Sequence, residues 1–254
     1  VLILIDAGFS PCLSRGRDLD FATMGGALRV EGGLARVTDA LALEVGDNLR
    51  LGCPVRVVTE DTTGVTVTTL DDTIRAARVV LALPPRLAVG LGVIVPDVPT
   101  WMAGHAKLVT TYPTPFWRAE GLNGDAISHR GPLAEIHDAS PASAGTGALF
   151  GFAHPGAARQ PDFRDAALDQ LGRLFGPEAA TPAEVIVKDW STDLATATRA
   201  DQTPPAGHPA YRPLPPTERL IFAGSEAAPE DAGFLEGALA AAEAARARLD
   251  AVVR

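Results

Sequence analysis

The stretch Leu220-Ile-Phe-Ala-Gly-Ser-Glu-Ala-Ala, followed by Asp231-Ala-Gly-Phe-Leu-Glu-Gly-Ala-Leu, constrains the fold more than any other part of the chain. Leu220–Ala223 is a short apolar run that reads as a buried strand. It breaks at Gly224-Ser225-Glu226, and an alanine-rich run with helical character opens near Gly233. Small residues in such a turn let the backbone approach a ligand closely. The first-turn N–H groups of the helix have no intrahelical acceptor and suit an anionic or polar group. The same pattern also fits an ordinary strand–loop–helix of any α/β domain, so the residues alone leave both readings open.

Composition sets the outer limits. The chain has 254 residues, 46% of them apolar, enough for one large or two small domains with their own cores. The net charge is −9, and acidic and basic residues are interspersed without a basic stripe, so nucleic acid is not an expected partner. No apolar run approaches the roughly 20 residues of a membrane span. Val1-Leu-Ile-Leu-Ile is short and lacks a basic flank and a cleavage pattern. The expectation is a cytoplasmic protein that does not enter a membrane. Cys12 and Cys53 are too few for a disulfide framework or a zinc site and read as buried free thiols. A first residue of Val suggests a processed subunit, an alternative start codon or a piece of a longer protein.

Along the chain, residues 1–30 give little pattern. Val37, Ala40, Leu41 and Val45 recur at helical spacing up to Gly46, a C-cap candidate. The Val-Thr alternation around Asp61-Thr-Thr-Gly predicts a β-hairpin over about 53–69. Ile74–Leu83 reads as continuing into a buried strand stopped by Pro84-Pro85. Strands are expected at 105–112, 126–128, 133–137, 148–153 and 185–190, and an amphipathic helix over 163–175 ending at Gly176-Pro177. Residues 195–218, rich in Pro, Thr and Ala, read as a long ordered loop. The fold class expected is α+β, in two interleaved portions: 31–85 with 184–254, and 86–183 as an antiparallel sheet with helices.

Ala223-Gly-Ser-Glu226 followed by Gly233-Phe-Leu-Glu-Gly-Ala238 resembles the C-terminal FAD-binding signature of the flavin-containing amine oxidases, the monoamine oxidase and L-amino-acid oxidase superfamily. Lys107, then Tyr112 and Pro115-Phe-Trp-Arg118, matches a second family feature. Lys188-Asp-Trp190 matches a third, and Pro54-Val55 with Val80-Leu-Ala82-Leu-Pro-Pro85 a fourth. The resemblance implies a truncated flavin amine oxidase fold, with 31–85 and 184–254 as the FAD-binding portion and 86–183 as the substrate-binding portion. It implies that Lys107 holds a water beside the flavin, and that Trp190 walls the ring. It implies that Val55 meets the adenine edge, and that Ala82, Gly224, Ser225, Glu226, Gly233, Phe234 and Leu235 line the cofactor. Phe234 would also face the substrate, a small amine or amino acid. Arg36, after the Gly32-Gly33 turn, falls where the family has a substrate-facing side chain and could grip a carboxylate; an exposed helical arginine is the simpler reading. Lys107 on a solvent face and Trp190 in a core are the plain alternatives for those two. No cysteine lies near Trp190, so FAD is expected to bind non-covalently.

Two departures stand against the family pattern. Phe234 replaces one of the family's two facing tyrosines, and no tyrosine lies near Arg199-Ala200 for the other, so substrate preference does not carry over. The family's opening strand, Gly-X-Gly-X-X-Gly turn and helix are missing. The chain therefore reads as the C-terminal part of an FAD-dependent oxidoreductase that turns an amine into an imine. The alternatives are a non-catalytic truncated domain, or one subunit of a split oxidase that needs a partner chain. Homo-oligomerisation is the other association expected.

Overall fold

The computed structural model describes residues 2–6, 12–15, 30–141, 145–205, 207–209 and 211–252. In chain order the first elements are β1 (Leu2–Asp6), β2 (Cys12–Arg15), α1 (Ala35–Val45), β3 (Val57–Asp61), β4 (Gly64–Thr68), β5 (Thr73–Ala76), β6 (Val79–Leu81), α2 (Pro85–Gly90) and β7 (Ala106–Tyr112). Then follow β8 (Ala126–Ser128), β9 (Leu133–Asp138), β10 (Gly147–Ala153), α3 (Phe163–Phe175), β11 (Glu184–Asp189), β12 (Leu220–Phe222) and α4 (Leu235–Val252). The mixture of helices with mainly antiparallel sheet is α+β, as the sequence predicts. No helix among the described residues is long and apolar enough to cross a membrane.

The chain divides into two compact units, residues 1–49 with 105–189 and residues 50–104 with 190–254. These bounds differ from the sequence division. Residues 31–49 and 184–189 fall with the first unit, and 86–104 with the second. The functional labels attached to the two portions remain proposals.

Unit one is built on a seven-stranded sheet in the order β11-β7-β10-β9-β8-β1-β2. Only the β1–β8 pairing is parallel. The earliest stretch thus contributes two strands, β1 and β2, paired antiparallel at one end of the sheet order; Cys12 lies on β2, where the side chains are outside the description. In β7, Ala106, Leu108, Thr110 and Tyr112 are buried and the alternate residues are half-buried, the period-2 signature of a strand with one face on a core. That core is completed by Phe163, Ala167, Leu171 and Phe175, spaced four apart down one face of α3. Gln170, also on α3, is buried, and its amide bonds both the N–H and the C=O of Leu133 at 2.8 Å. A buried amide paired at both ends ties the helix to β9 without leaving a polar atom unsatisfied. α3 stops at Gly176, whose φ of 101° is open to glycine alone at little cost, and Pro177 follows. α1 forms as expected and ends at Gly46, but none of its residues is buried; Val37 is 46% and Leu41 54% exposed.

Unit two carries an antiparallel sheet β3-β4-β5 and a parallel pair β6-β12. The hairpin lies where the Val-Thr alternation places it, although the ladder starts at Val57 rather than Cys53. Asp61 closes its turn by accepting N–H bonds from Thr63 (2.7 Å) and Gly64 (3.1 Å). The continuous strand expected over 74–83 is two strands. Thr73–Ala76 pairs with β4 and Val79–Leu81 pairs with β12, so the chain changes sheets at Ala77-Arg78. Arg219 holds that corner by donating to the carbonyls of Ala77 (3.4 Å) and Thr62 (2.8 Å). Val58, Val65, Leu81, Ala88, Val93 and Leu220 form the core beneath. The second strand, β6, ends at Leu81, short of the prolines expected to stop it; Pro84 caps α2 and Pro85 opens it, where the fixed proline φ suits a first helical turn. Cys53 is a free thiol but only half-buried, not buried as expected. β11 ends at Asp189, so Trp190 lies outside the strand, in a 3-10 turn over Trp190–Thr192.

Candidate cofactor and substrate residues

In unit two the parallel strands β6 and β12 run in register, Leu220 beside Val79 and Phe222 beside Leu81, and Ala223 N–H donates to the Leu81 carbonyl at 2.9 Å. Ala82 and Ala223-Gly224 therefore emerge side by side at the carboxyl ends of two parallel strands, the end where open α/β sheets bind ligands. A Cβ on Gly224 would meet the Leu83 carbonyl oxygen at 2.8 Å, so only glycine lets the two chains lie this close. Ser225–Ala227 forms one 3-10 turn, and the Ser225 carbonyl accepts from Gly233 N–H at 3.1 Å, which folds the following loop back. Gly233 has φ +86° and is ringed by Tyr211, Trp101 and His208 side chains at 3.0–3.3 Å from where a Cβ would be. α4 starts at Leu235, two residues after the expected glycine, and Ala245 packs it against Ile221 and Ala223. Its first-turn amides have no intrahelical acceptors.

Glu226 is 5% exposed, and its Oε2 accepts from the Ser225 hydroxyl at 3.1 Å. A carboxylate has about four acceptor positions, so one hydroxyl leaves room for further donors. Phe234 is 54% exposed. The His208 ring stacks on it with centroids 5.1 Å apart and 7° between planes, and meets Trp101 and Tyr211 edge-on at 4.8 and 5.4 Å. His208 Nε2–H donates to the Ala232 carbonyl at 2.9 Å, which fixes the ring. Tyr211 donates to the Pro99 carbonyl at 2.6 Å. Burial, with the Glu226 charge adding to it, keeps the Tyr211 phenol protonated well above its ordinary range. His208 carries no signal in the sequence, because it sits in a proline-rich loop with no period.

The same loop holds a buried polar centre of unit two. Thr198 and Asp201 form a reciprocal capping box, a Thr-X-X-Asp pattern legible in the sequence. Asp201 is buried and accepts from Thr198 N–H (2.8 Å), Thr198 Oγ1 (2.7 Å), Thr100 N–H (3.2 Å) and Arg86 (2.5 Å). Arg86 also binds Asp97 at 2.7 Å. Burial pushes the Asp201 pKa up, but these donors outweigh it and hold the carboxyl below its usual range. The folded-state pKa is depressed, so this stabilisation is complete above the unfolded value near 4 and is lost as pH falls through the folded value. Asp201→Asn should lower stability by about 1–3 kcal/mol at pH 7, and the difference from wild type should shrink below about pH 4. Urea denaturation at pH 7 and pH 3 checks this; equal differences at both would refute it.

Ala82, Gly224, Ser225, Glu226, Gly233, Phe234 and Leu235 are thus gathered at one end of unit two. Val55, in the same unit, is exposed on the segment leading into β3. Trp190 is half-buried in the turn that packs on Arg199–Gln202. Lys107 and Arg36 belong to unit one. Lys107 is half-buried on β7 rather than free in solvent, and loss of water lowers its pKa from the usual lysine value. Arg36 is exposed on α1 and donates to the Glu31 carbonyl of its own turn at 3.3 Å.

Residues 12–249 match the family model of the flavin containing amine oxidoreductases. A protein of Mycobacterium tuberculosis named as the flavin-containing monoamine oxidase AofH is 31% identical over 242 residues, 89% of this chain and 53% of its own. An L-amino acid dehydrogenase of Synechocystis is 28% identical over 85% of this chain and 50% of its own. Among solved structures, the cyclohexylamine oxidase of Brevibacterium oxydans superposes with a TM-score of 0.70 at 26% identity, over 87% of this chain and 53% of its own. A putrescine oxidase superposes equally well at 24% identity, which speaks to the fold. The chain spans about half the length of the curated relatives it matches.

Proposed function

Since this chain belongs to the flavin-containing amine oxidoreductase family, we propose that it forms the cofactor-edge and substrate-facing part of an FAD-dependent oxidoreductase acting on a small amine or amino acid. The observation that carries this is the end of unit two, where a glycine-permitted close approach, a buried acidic side chain and a helix N-terminus converge. These features fit FAD. First-turn amides of α4 suit a phosphate oxygen, and Glu226 suits a hydroxyl of the sugar-like chain. Gly224 and Ala82 bring backbone against the ligand. When bound, FAD supplies the two-electron acceptor for amine oxidation.

The remaining assignments follow the family pattern: Val55 at the adenine edge, Trp190 beside the ring, and Lys107 holding a water. Phe234, with Arg36 where a carboxylate must be gripped, would face the substrate. With no cysteine near Trp190 in the sequence, attachment is non-covalent. The stack of His208 on Phe234 supports a fixed aromatic surface at the substrate position, a role a second tyrosine plays elsewhere in the family.

A pyrophosphate carries two negative charges and needs convergent donors, whereas α4 provides one helix N-terminus. The uncovered apolar face of α1 supports a reading in which further polypeptide, covalently joined or a partner chain, completes the protein. We therefore expect the chain alone to bind FAD more weakly than about 1 μM and to self-associate in part. The test titrates the purified chain with FAD and follows flavin fluorescence, with Glu226→Gln and Gly224→Val as controls. Weak saturable quenching that both variants abolish supports the site. No quenching up to about 1 mM, equivalent to about −4 kcal/mol, would remove the cofactor reading. Sub-micromolar binding by a monomer would overturn the need for further chain.

A further inference from the structure

Lys107 and Lys188 are the only lysines in the chain, and β7 and β11 set them directly opposite each other. Opposed residues of an antiparallel pair share a face of the sheet, and like charges there repel. Burial of Lys107 works in the same direction, because a desolvated ammonium loses its proton more readily. On the other flank of β7, β10 sets Phe152 opposite Lys107 and Phe150 opposite Val109. Lys107 Nζ lies 5.3 Å from the Phe152 ring centre and 5.7 Å from that of Phe150. The two rings meet edge-to-face at 4.7 Å and 78°. Both ring centres are within cation–π range of the ammonium.

We propose that Phe150 and Phe152 are positioning residues that hold the Lys107 side chain in place as a charged ammonium. The chemistry explains why two rings suit this better than a carboxylate. A carboxylate would occupy the N–H donors and neutralise the charge. Ring faces attract the charge through their quadrupole and leave the three N–H groups free to reach a small acceptor such as water. Other charged or titratable groups face the pair from neighbouring strands. Lys188 lies on β11, and Glu135 and His137 on β9 stand opposite Phe152 and Phe150. The His137 ring is near-parallel to that of Phe150 at 6.4 Å, and its Nδ1 lies 3.2 Å from Asp125. That carboxylate first, and Glu135 as well, raise the His137 pKa against burial.

The proposal takes its functional meaning from the role given to Lys107 above, but its test needs no flavin. Protein labelled with [ε-13C]lysine gives two signals, assigned with Lys188→Arg. In the wild type the Lys107 signals should show ring-current shifts to high field and titrate below the ordinary lysine value. Phe150→Leu and Phe152→Leu keep the site apolar and remove a ring; each should lower the Lys107 pKa by about half a pH unit. Phe152→Tyr should restore it. If the leucine variants leave the pKa unchanged, or raise it toward the ordinary value, the rings only exclude water and the proposal fails. Wild-type signals without ring-current shifts would overturn it even if the leucine variants do not fold. Failure of FAD to bind would leave these outcomes unaffected and would count against the cofactor reading alone.

Discussion

Trp117→Ala is expected to destabilise unit one by about 3–5 kcal/mol, the usual cost of deleting a buried tryptophan. The side chain is fully buried. It meets Tyr112 and Phe116 edge-on at 5.7 and 5.1 Å and Phe175 of α3 at 6.4 Å, so it joins strand, turn and helix. Its indole N–H donates to Asp138 at 3.1 Å, and Asp138 also receives Arg118 at 2.8 Å. Room for the indole depends on Gly124, where φ is +82° and a Cβ would lie 2.8 Å from the indole nitrogen. The truncation leaves a cavity and a half-buried carboxylate with one donor fewer, and the two effects add. Urea unfolding followed by circular dichroism measures the loss. A midpoint within about 1 kcal/mol of wild type would show that Pro115–Arg118 is a surface turn rather than a core plug.

The elements most legible in the sequence are those in which one period repeats against one core. α3 shows its Phe163–Phe175 face, β7 alternates, and the Val-Thr hairpin ends in Asp61 and Gly64. Less legible are points decided by long-range partners. The break at Ala77-Arg78 depends on Arg219, more than a hundred residues away, which holds the corner where the chain changes sheets. α1 shows the opposite case. Its apolar spacing is genuine and the helix forms, yet the stripe faces no core among the described residues. Periodicity reports what a helix can bury, not whether the partner is on the same chain.

The candidate site divides in the same way. Gly224 and Gly233 are legible as turn glycines because a close backbone approach demands small residues, whereas Glu226 enters through the family resemblance; the Gly233 N–H on the Ser225 carbonyl and the Ser225 hydroxyl on Glu226 bring the three together. His208 is not legible, since a stacking ring carries no sequence period. Phe150 and Phe152 were visible only as strand residues; register across β7 and β10 is what brings them to Lys107. A sequence shows which residues of a strand share a face, but the pairing decides whose face they share.

Register also separates the two ways Lys107 can be altered. Lys107→Met in a flavin-loaded assembly is expected to slow amine turnover about a hundredfold or more, the usual cost of losing one preorganised electrostatic group. FAD affinity should change less than about threefold, because the groups proposed to hold the dinucleotide lie in unit two. Stability should change little. Methionine keeps the length of the side chain and makes favourable contacts with aromatic rings such as Phe150 and Phe152, and the variant removes the repulsion from Lys188. Lys107→Arg keeps the charge but replaces a compact ammonium with a planar fork, so it should recover only part of the rate. Steady-state turnover, FAD titration and thermal melting on the same three proteins resolve these effects. Unchanged turnover in Lys107→Met would remove the lysine from the chemistry. Parallel losses of turnover and thermal stability would instead make it a structural residue.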